Sequence, residues 1–220
     1  PRMVNTAEFT QLVKRAREGA PKRKFQQSFE LVLAFRDIDI KKQEFSMNEV
    51  VFLPHKGGGE PQLCVIAGGD LALRAKRAGA DRVIEPDELD RLAADKRGAR
   101  KVAQSFSFFL ADTGLMPRVG RALGPYLGPR GRMPTPVPPT AAIEGLVARF
   151  RVATRVRTRG QLSAAARVGD ETLADEQVAE NAAAVLGAVE KKLPSGAANL
   201  RAVAVKLSMG APAQMKVTEA

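Results

Sequence analysis

His55 and Cys64 are the only histidine and the only cysteine among 220 residues, which limits the chemistry the side chains can perform. Histidine triads, Cys–His pairs and zinc centres each need at least one more partner of these types. A single cysteine forms no internal disulfide. Catalysis would fall to carboxylates, lysine or tyrosine. No acid or nucleophile pattern points to His55, which reads as a hinge or packing residue. Cys64 opens an apolar run and reads as a small core hydrophobe. Gly68-Gly69 lacks the spacing of a dinucleotide fingerprint, and no Gly-Lys-Ser or Gly-Lys-Thr offers a phosphate-binding loop. No metal and no cofactor is expected.

The chemistry that remains is recognition of anions. Lys and Arg number 35 against 24 Asp and Glu, a formal net charge of +11, and such a field favours a polyanionic partner, nucleic acid foremost. With 15 basic and 9 acidic residues, the middle of the chain carries +6, more than either flank. Within it, Gly120, Gly124, Gly128 and Gly131 alternate with Arg118, Arg121, Arg130 and Arg132, which reads as an unusual loop. Two readings stand side by side: backbone amides and arginines brought near phosphates, or a connection stiffened by proline and glycine. Lys14, Arg15 and Arg17 pose the same choice, between complementing a helix dipole and forming a phosphate patch with Lys22, Arg23 and Lys24. Aromatics at 5%, mostly in core-facing patterns, argue against a general single-strand binder that stacks bases.

The elements that must position these residues are legible in outline. Asn5 with Glu8 three residues later caps a helix carrying Phe9, Leu12, Val13 and Ala16 until Gly19 stops it. From Ser28 to Arg36 the period becomes two, with Phe29, Leu31, Leu33 and Phe35 on one face. A strand over Glu49–Leu53 ends at Pro54, and His55-Lys56-Gly57-Gly58-Gly59 breaks regular structure. Leu63–Ala67 is an apolar strand leading to a helix capped by Asp70 and ended by Gly79, and Val83-Ile84 starts the next strand, so the sheet there is parallel. Pro86 with Asp87 and Glu88 starts another helix, and Phe106–Ala111 a further strand after the basic stretch Arg97–Lys101. Thr140 opens a helix with Ile143, Leu146, Val147 and Phe150, after which Arg155, Arg157 and Arg159 alternate in a strand-like stretch. Asp175 caps a long helix striped with Val178, Ala182, Val185, Val189 and Leu193, and Leu200–Leu207 forms the closing strand.

The expected fold class is therefore α/β with α+β, in two domains: a discontinuous terminal α+β domain over 1–61 and 153–220, and an inserted Rossmann-like parallel α/β domain over 62–152. His55, Gly57, Gly58 and Val152 are the expected hinge. No apolar run approaches the roughly 18 residues that cross a bilayer, and no charged-then-apolar secretory start is seen, so a cytoplasmic protein with no membrane partner is expected.

The run Met116-Pro117-Arg118-Val119-Gly120-Arg121-Ala122-Leu123-Gly124-Pro125-Tyr126-Leu127-Gly128-Pro129-Arg130-Gly131-Arg132-Met133-Pro134 resembles the signature of the L-one family of ribosomal proteins. Lys24-Phe25-Gln26-Gln27-Ser28-Phe29-Glu30 resembles that family's first strand, Leu53-Pro54-His55 its hinge approach, and Lys206-Leu207-Ser208-Met209-Gly210 its closing strand and turn. Arg132 departs from the bacterial pattern, which usually has leucine there, as does Thr135-Pro136-Val137; both departures look archaeal or eukaryotic.

The resemblance implies a structural constituent of the large ribosomal subunit whose terminal domain holds large-subunit rRNA in the mobile stalk. The insert would swing near exit-site tRNA and influence its release. The chain would also bind and repress its own mRNA. The rRNA contacts would be Lys24, Phe25, Ser28, Glu30, Lys206, Ser208, Met209 and Gly210, with Arg118, Arg121, Arg130 and Arg132 as secondary RNA or tRNA contacts. One copy per subunit implies a monomer when free, and no enzyme. The alternative from another class is a nucleotide-dependent enzyme built on the α/β insert, which nucleotide-induced thermal stabilisation would reveal.

Overall fold

The computed structural model describes residues 4–39, 47–158 and 160–217. It divides into two compact units, separated between Gly59 and Glu60 and again between Arg151 and Val152.

The terminal unit is a six-stranded sheet covered on one face by two helices. Helix α1 (Thr6–Glu18) begins with the expected capping box, in which Asn5 accepts from the Glu8 amide at 2.8 Å and Glu8 accepts from the Asn5 amide at 3.0 Å. Strand β1 (Ser28–Phe35) alternates between half-buried and buried residues, as its period of two requires. It pairs antiparallel with β8 (Ser163–Asp170) and β9 (Leu200–Leu207); β2 (Asn48–Phe52), β7 (Ala153–Arg157) and β10 (Ala213–Lys216) complete the order β10-β9-β1-β8-β7-β2. Helix α8 (Asp175–Glu190) packs with α1 over Phe29, Leu31, Leu33, Val203 and Val205 to form one apolar core.

Several sequence expectations are corrected here. Asp175 is the first helical residue of α8 and not its cap; its carboxylate takes the Arg17 Nε at 2.8 Å. Arg17 also donates to the carbonyls of Glu171 and Leu173 and lies over the Phe29 ring, so it fastens α1 to α8 and is not part of a phosphate patch. Leu200–Leu207 does not close the fold, because β10 follows it at the sheet edge. Arg159 lies outside the described residues.

The inserted unit is a parallel sheet in the order β4-β3-β5-β6, built from β3 (Leu63–Ile66), β4 (Arg82–Ile84), β5 (Phe108–Asp112) and β6 (Thr135–Val137). Helices α2 (Gly69–Arg77) and α7 (Ile143–Phe150) pack together, with Phe108 edge-on to Phe150. Helices α3 (Pro86–Ala94), α4 (Lys96–Ser105), α5 (Met116–Ala122) and α6 (Gly124–Leu127) enclose Cys64, Ile66, Phe109 and Ala111 in a second core. A parallel sheet covered on both faces explains the unbroken apolar run of β3. The expected fold class, an antiparallel α+β part and a parallel α/β part, is the one observed.

Asp70 does not cap α2, whose cap position is Gly68; Asp70 accepts instead from Arg74 one turn on. α7 starts at Ile143, three residues after Thr140. The basic stretch 97–101, with no element expected for it, is the body of α4.

Candidate nucleic-acid interface

Antiparallel pairing sets Phe29 opposite Leu207 and Glu30 opposite Lys206, so the start of β1 and the end of β9 lie side by side. The chain then turns through Ser208, Met209 and Gly210. Ser208 accepts from the Ser28 amide through Oγ at 3.2 Å, and its own amide donates to the Ser28 carbonyl at 3.1 Å. The Met209 amide donates to Gln27 Oε1 at 3.0 Å. A Cβ at Gly210 would lie 3.1 Å from that of Ala20, a tight contact, so glycine suits the chain's own packing there. The Ser208 hydroxyl likewise serves to position the turn.

Gln27, which sequence reasoning did not single out, ties this corner together. It is buried, and its Nε2 donates to the Pro21 carbonyl at 3.0 Å while its amide donates to Glu171 Oε2 at 2.8 Å. Glu171 returns a hydrogen bond from its amide to the Gln27 carbonyl at 3.1 Å. Three segments, 20–28, 171 and 208–210, are thereby fixed to one another. Against this rigid base Phe25 and Met209 are both 53% exposed, large apolar side chains left in solvent beside exposed Lys24. Glu30 lies between Lys206, 3.9 Å away, and its other cross-strand partner Arg167. The corner thus presents apolar contact surface, one carboxylate that can accept from hydroxyls, and cations around it. Those are the elements of shape-and-ribose recognition more than of a purely basic surface.

The expected hinge residues sit in well-bonded surroundings. Asn181, buried on α8, accepts from the His55 amide and donates to the carbonyls of His55 and Val168, while the His55 ring meets Glu180. A Cβ on Gly57 would fall 2.7 Å from Asp170 Oδ2, on a carboxylate fixed by its own hydrogen bonds, so that glycine meets a packing requirement, whereas one on Gly58 would meet only the end of the Gln26 side chain at 3.2 Å. The Val152 carbonyl accepts from the Leu53 amide at 2.9 Å. Burial alone would raise the Asp170 carboxyl. Hydrogen bonds from the Thr172 hydroxyl and from the Gly59 and Thr172 amides, with Arg167 beside it, outweigh burial and hold the carboxyl below its ordinary range. On the insert side Arg151 donates to Asp81 and to the Gly79 and Pro61 carbonyls.

The glycine–arginine stretch proves not to be an open loop. Residues 116–122 and 124–127 are helical, and the amides of Leu123, Leu127, Gly128, Arg130, Gly131 and Arg132 all donate to carbonyls within it. Those amides are spent and cannot cradle a phosphate. Arg132 Nη1 donates to the Ala103, Gln104 and Phe106 carbonyls, where it satisfies the end of α4. Arg118 is paired with Asp90, whereas Arg121 and Arg130 are exposed.

Comparison with known proteins follows the same lines. Residues 12–211 match the pattern of the Ribosomal protein L1p/L10e family. The chain is 50% identical to the large ribosomal subunit protein uL1 of Cenarchaeum symbiosum over 94% of its own length and 95% of the relative's. It is 45% identical to the protein of the same name from Thermofilum pendens, over 97% and 95%, and 41% identical to that of Archaeoglobus fulgidus, over 94% and 97%. On these grounds the chain belongs to the Ribosomal protein L1p/L10e family, in its archaeal form.

Proposed function

We propose that the chain is a structural constituent of the large ribosomal subunit that grips large-subunit rRNA with the corner formed by Lys24, Phe25, Ser28, Glu30, Lys206, Ser208, Met209 and Gly210. The observation that carries this is the exposure of Phe25 and Met209 on a base made rigid by buried Gln27. Exposed large apolar groups on an otherwise well-packed domain mark contact surface, and rigidity lowers the ordering cost of binding. Relatives named as ribosomal proteins are structural, not enzymatic, and the chain is no enzyme.

In this reading the protein works in the cytoplasm, one copy per subunit and monomeric when free. The terminal corner holds the stalk rRNA, and the insert travels with the stalk and meets exit-site tRNA, aided by its charge of +6. Movement turns on the connections flanked by His55, Gly57, Gly58 and Val152. The same corner would take a messenger segment that mimics the rRNA site, and since one surface holds one RNA, the chain's own mRNA is repressed only when rRNA is scarce.

Phe25→Ala and Met209→Ala test the assignment. Each is expected to weaken binding to a stalk rRNA fragment by tenfold or more, about 1.4 kcal/mol, and to leave the melting temperature unchanged because both side chains are in solvent. Wild-type affinity in either variant would remove that residue from the site, and in both it would overturn the interface.

A further inference from the structure

Several of the insert's charged side chains pair off: Arg74 with Asp70, Lys76 with Glu85, Arg82 with Glu88, Arg118 with Asp90, and Arg151 with Glu60 and Asp81. Helix α4 gathers four cations on one short helix. Lys96, Arg97, Arg100 and Lys101 are all exposed, and among the described residues none of them forms an ion pair. At 3.6 residues per turn, the four fall with Gln104 in an arc of about 140°, opposite buried Ala99, Val102 and Ala103.

This placement costs the helix. Lys96 and Arg97 occupy the first turn, where the helix dipole favours acids, and the last turn, where cations would be favoured, has none. The pairs Lys96–Arg100 and Arg97–Lys101 set like charges one turn apart. Asp95 caps the helix and offsets them in part, and its Oδ1 is taken up by the Arg97 and Gly98 amides at 3.0 Å each. A charged face that weakens its own helix and forms no ion pair among the described residues points to an anionic partner outside the chain.

We infer that the exposed face of α4 is a second docking surface, which grips the sugar–phosphate backbone of double-helical RNA through Lys96, Arg97, Arg100 and Lys101. This rests on the proposed RNA-binding role of the chain. Guanidinium forks and ammonium groups match phosphate oxygens. The face carries no aromatic to stack bases and no large apolar side chain to enter a bilayer. It therefore holds RNA by charge and shape, without reading sequence.

The test uses the full chain, an unrelated RNA duplex and the stalk rRNA fragment, with binding measured from about 50 to about 200 mM salt. The variant Lys96→Gln/Arg97→Gln/Arg100→Gln/Lys101→Gln is expected to bind the duplex at least tenfold more weakly than wild type, with a salt slope shallower by about 3. Glutamine favours helix, so the variant melts no lower than wild type. If it does melt lower, Lys96→Gln/Arg100→Gln carries the same test at about half the change in slope. Duplex affinity and slope unchanged in the α4 variants would overturn the inference, as would loss of binding to phosphatidylserine vesicles with duplex binding intact. If the wild type fails to prefer the stalk fragment while duplex binding still depends on α4, the terminal corner is wrong and the α4 surface stands.

Discussion

Gln27 holds together the corner at which the proposed rRNA contacts meet, and it does so from a buried position, with bonds to Pro21, Glu171 and Met209. Replacing it by leucine leaves the Met209 amide, the Pro21 carbonyl and Glu171 Oε1, which accepts from Gln27 Nε2 at 3.4 Å, without that partner. Gln27→Leu should therefore lower stability in urea by about 1–3 kcal/mol and should also weaken rRNA binding, because the turn that carries Met209 is released. Unchanged binding would show that the turn is held by other means. Cys64 makes a second residue-level prediction. Burial pushes its thiol up to about 12, so almost no thiolate exists at neutral pH. An aromatic disulfide reagent should leave the native protein unmodified and react fully once denaturant is added; prompt reaction in native buffer would contradict the packing of β3. At this scale the motif resemblance singled out Phe25 and Met209, which stand exposed in the structure, and the apolar pattern singled out Cys64, which is buried. Neither revealed Gln27, Asn181 or the internal work of Arg17 and Arg132, because a polar side chain buried by tertiary contacts leaves no periodicity behind it.

The elements that escaped the sequence did so for physical reasons particular to each. β8 reads Ser163-Ala164-Ala165-Ala166-Arg167-Val168-Gly169-Asp170, a composition that favours helix, and it is a strand because β1 and β7 flank it and bond to it. α4 buries only Ala99, Val102 and Ala103, a stripe with no large apolar residue, so its charges stand out in the sequence more than its buried face does. Gly120, Gly124, Gly128 and Gly131 suggested a loop, yet the stretch is largely helical, and Pro117 and Pro125 each stand in the first turn of a helix, where the missing N–H costs nothing. α1 and β1, with a capping box and a strict period of two, were legible throughout. The end of β8 also carries a pH prediction. The Asp170 carboxyl is held below its ordinary range, so the stability it contributes is present above about pH 4 and is lost as pH falls through its lower native value. Asp170→Asn should be less stable than wild type at pH 7, by about 1–3 kcal/mol. It should also lose less on acidification, as read by chemical denaturation at a series of pH values. A parallel acid limb in both proteins would contradict this.

At the scale of the whole molecule, a chain of 220 residues combines an antiparallel terminal unit with a parallel insert. The proposed functions divide along that line, specificity in the terminal corner and charge on the insert. The two make opposite demands on salt. Contacts to ribose and base edges persist as salt rises, whereas phosphate contacts weaken with each counterion released. The central claim is that the Phe25–Glu30 and Ser208–Gly210 corner recognises a particular rRNA shape. Its most direct test is equilibrium binding of the intact chain to the large-subunit stalk rRNA fragment and to an unrelated duplex of equal length, across a salt series. A preference for the stalk fragment of about a thousandfold, kept at high salt, is the predicted result; equal binding of both RNAs, collapsing together as salt rises, would contradict it.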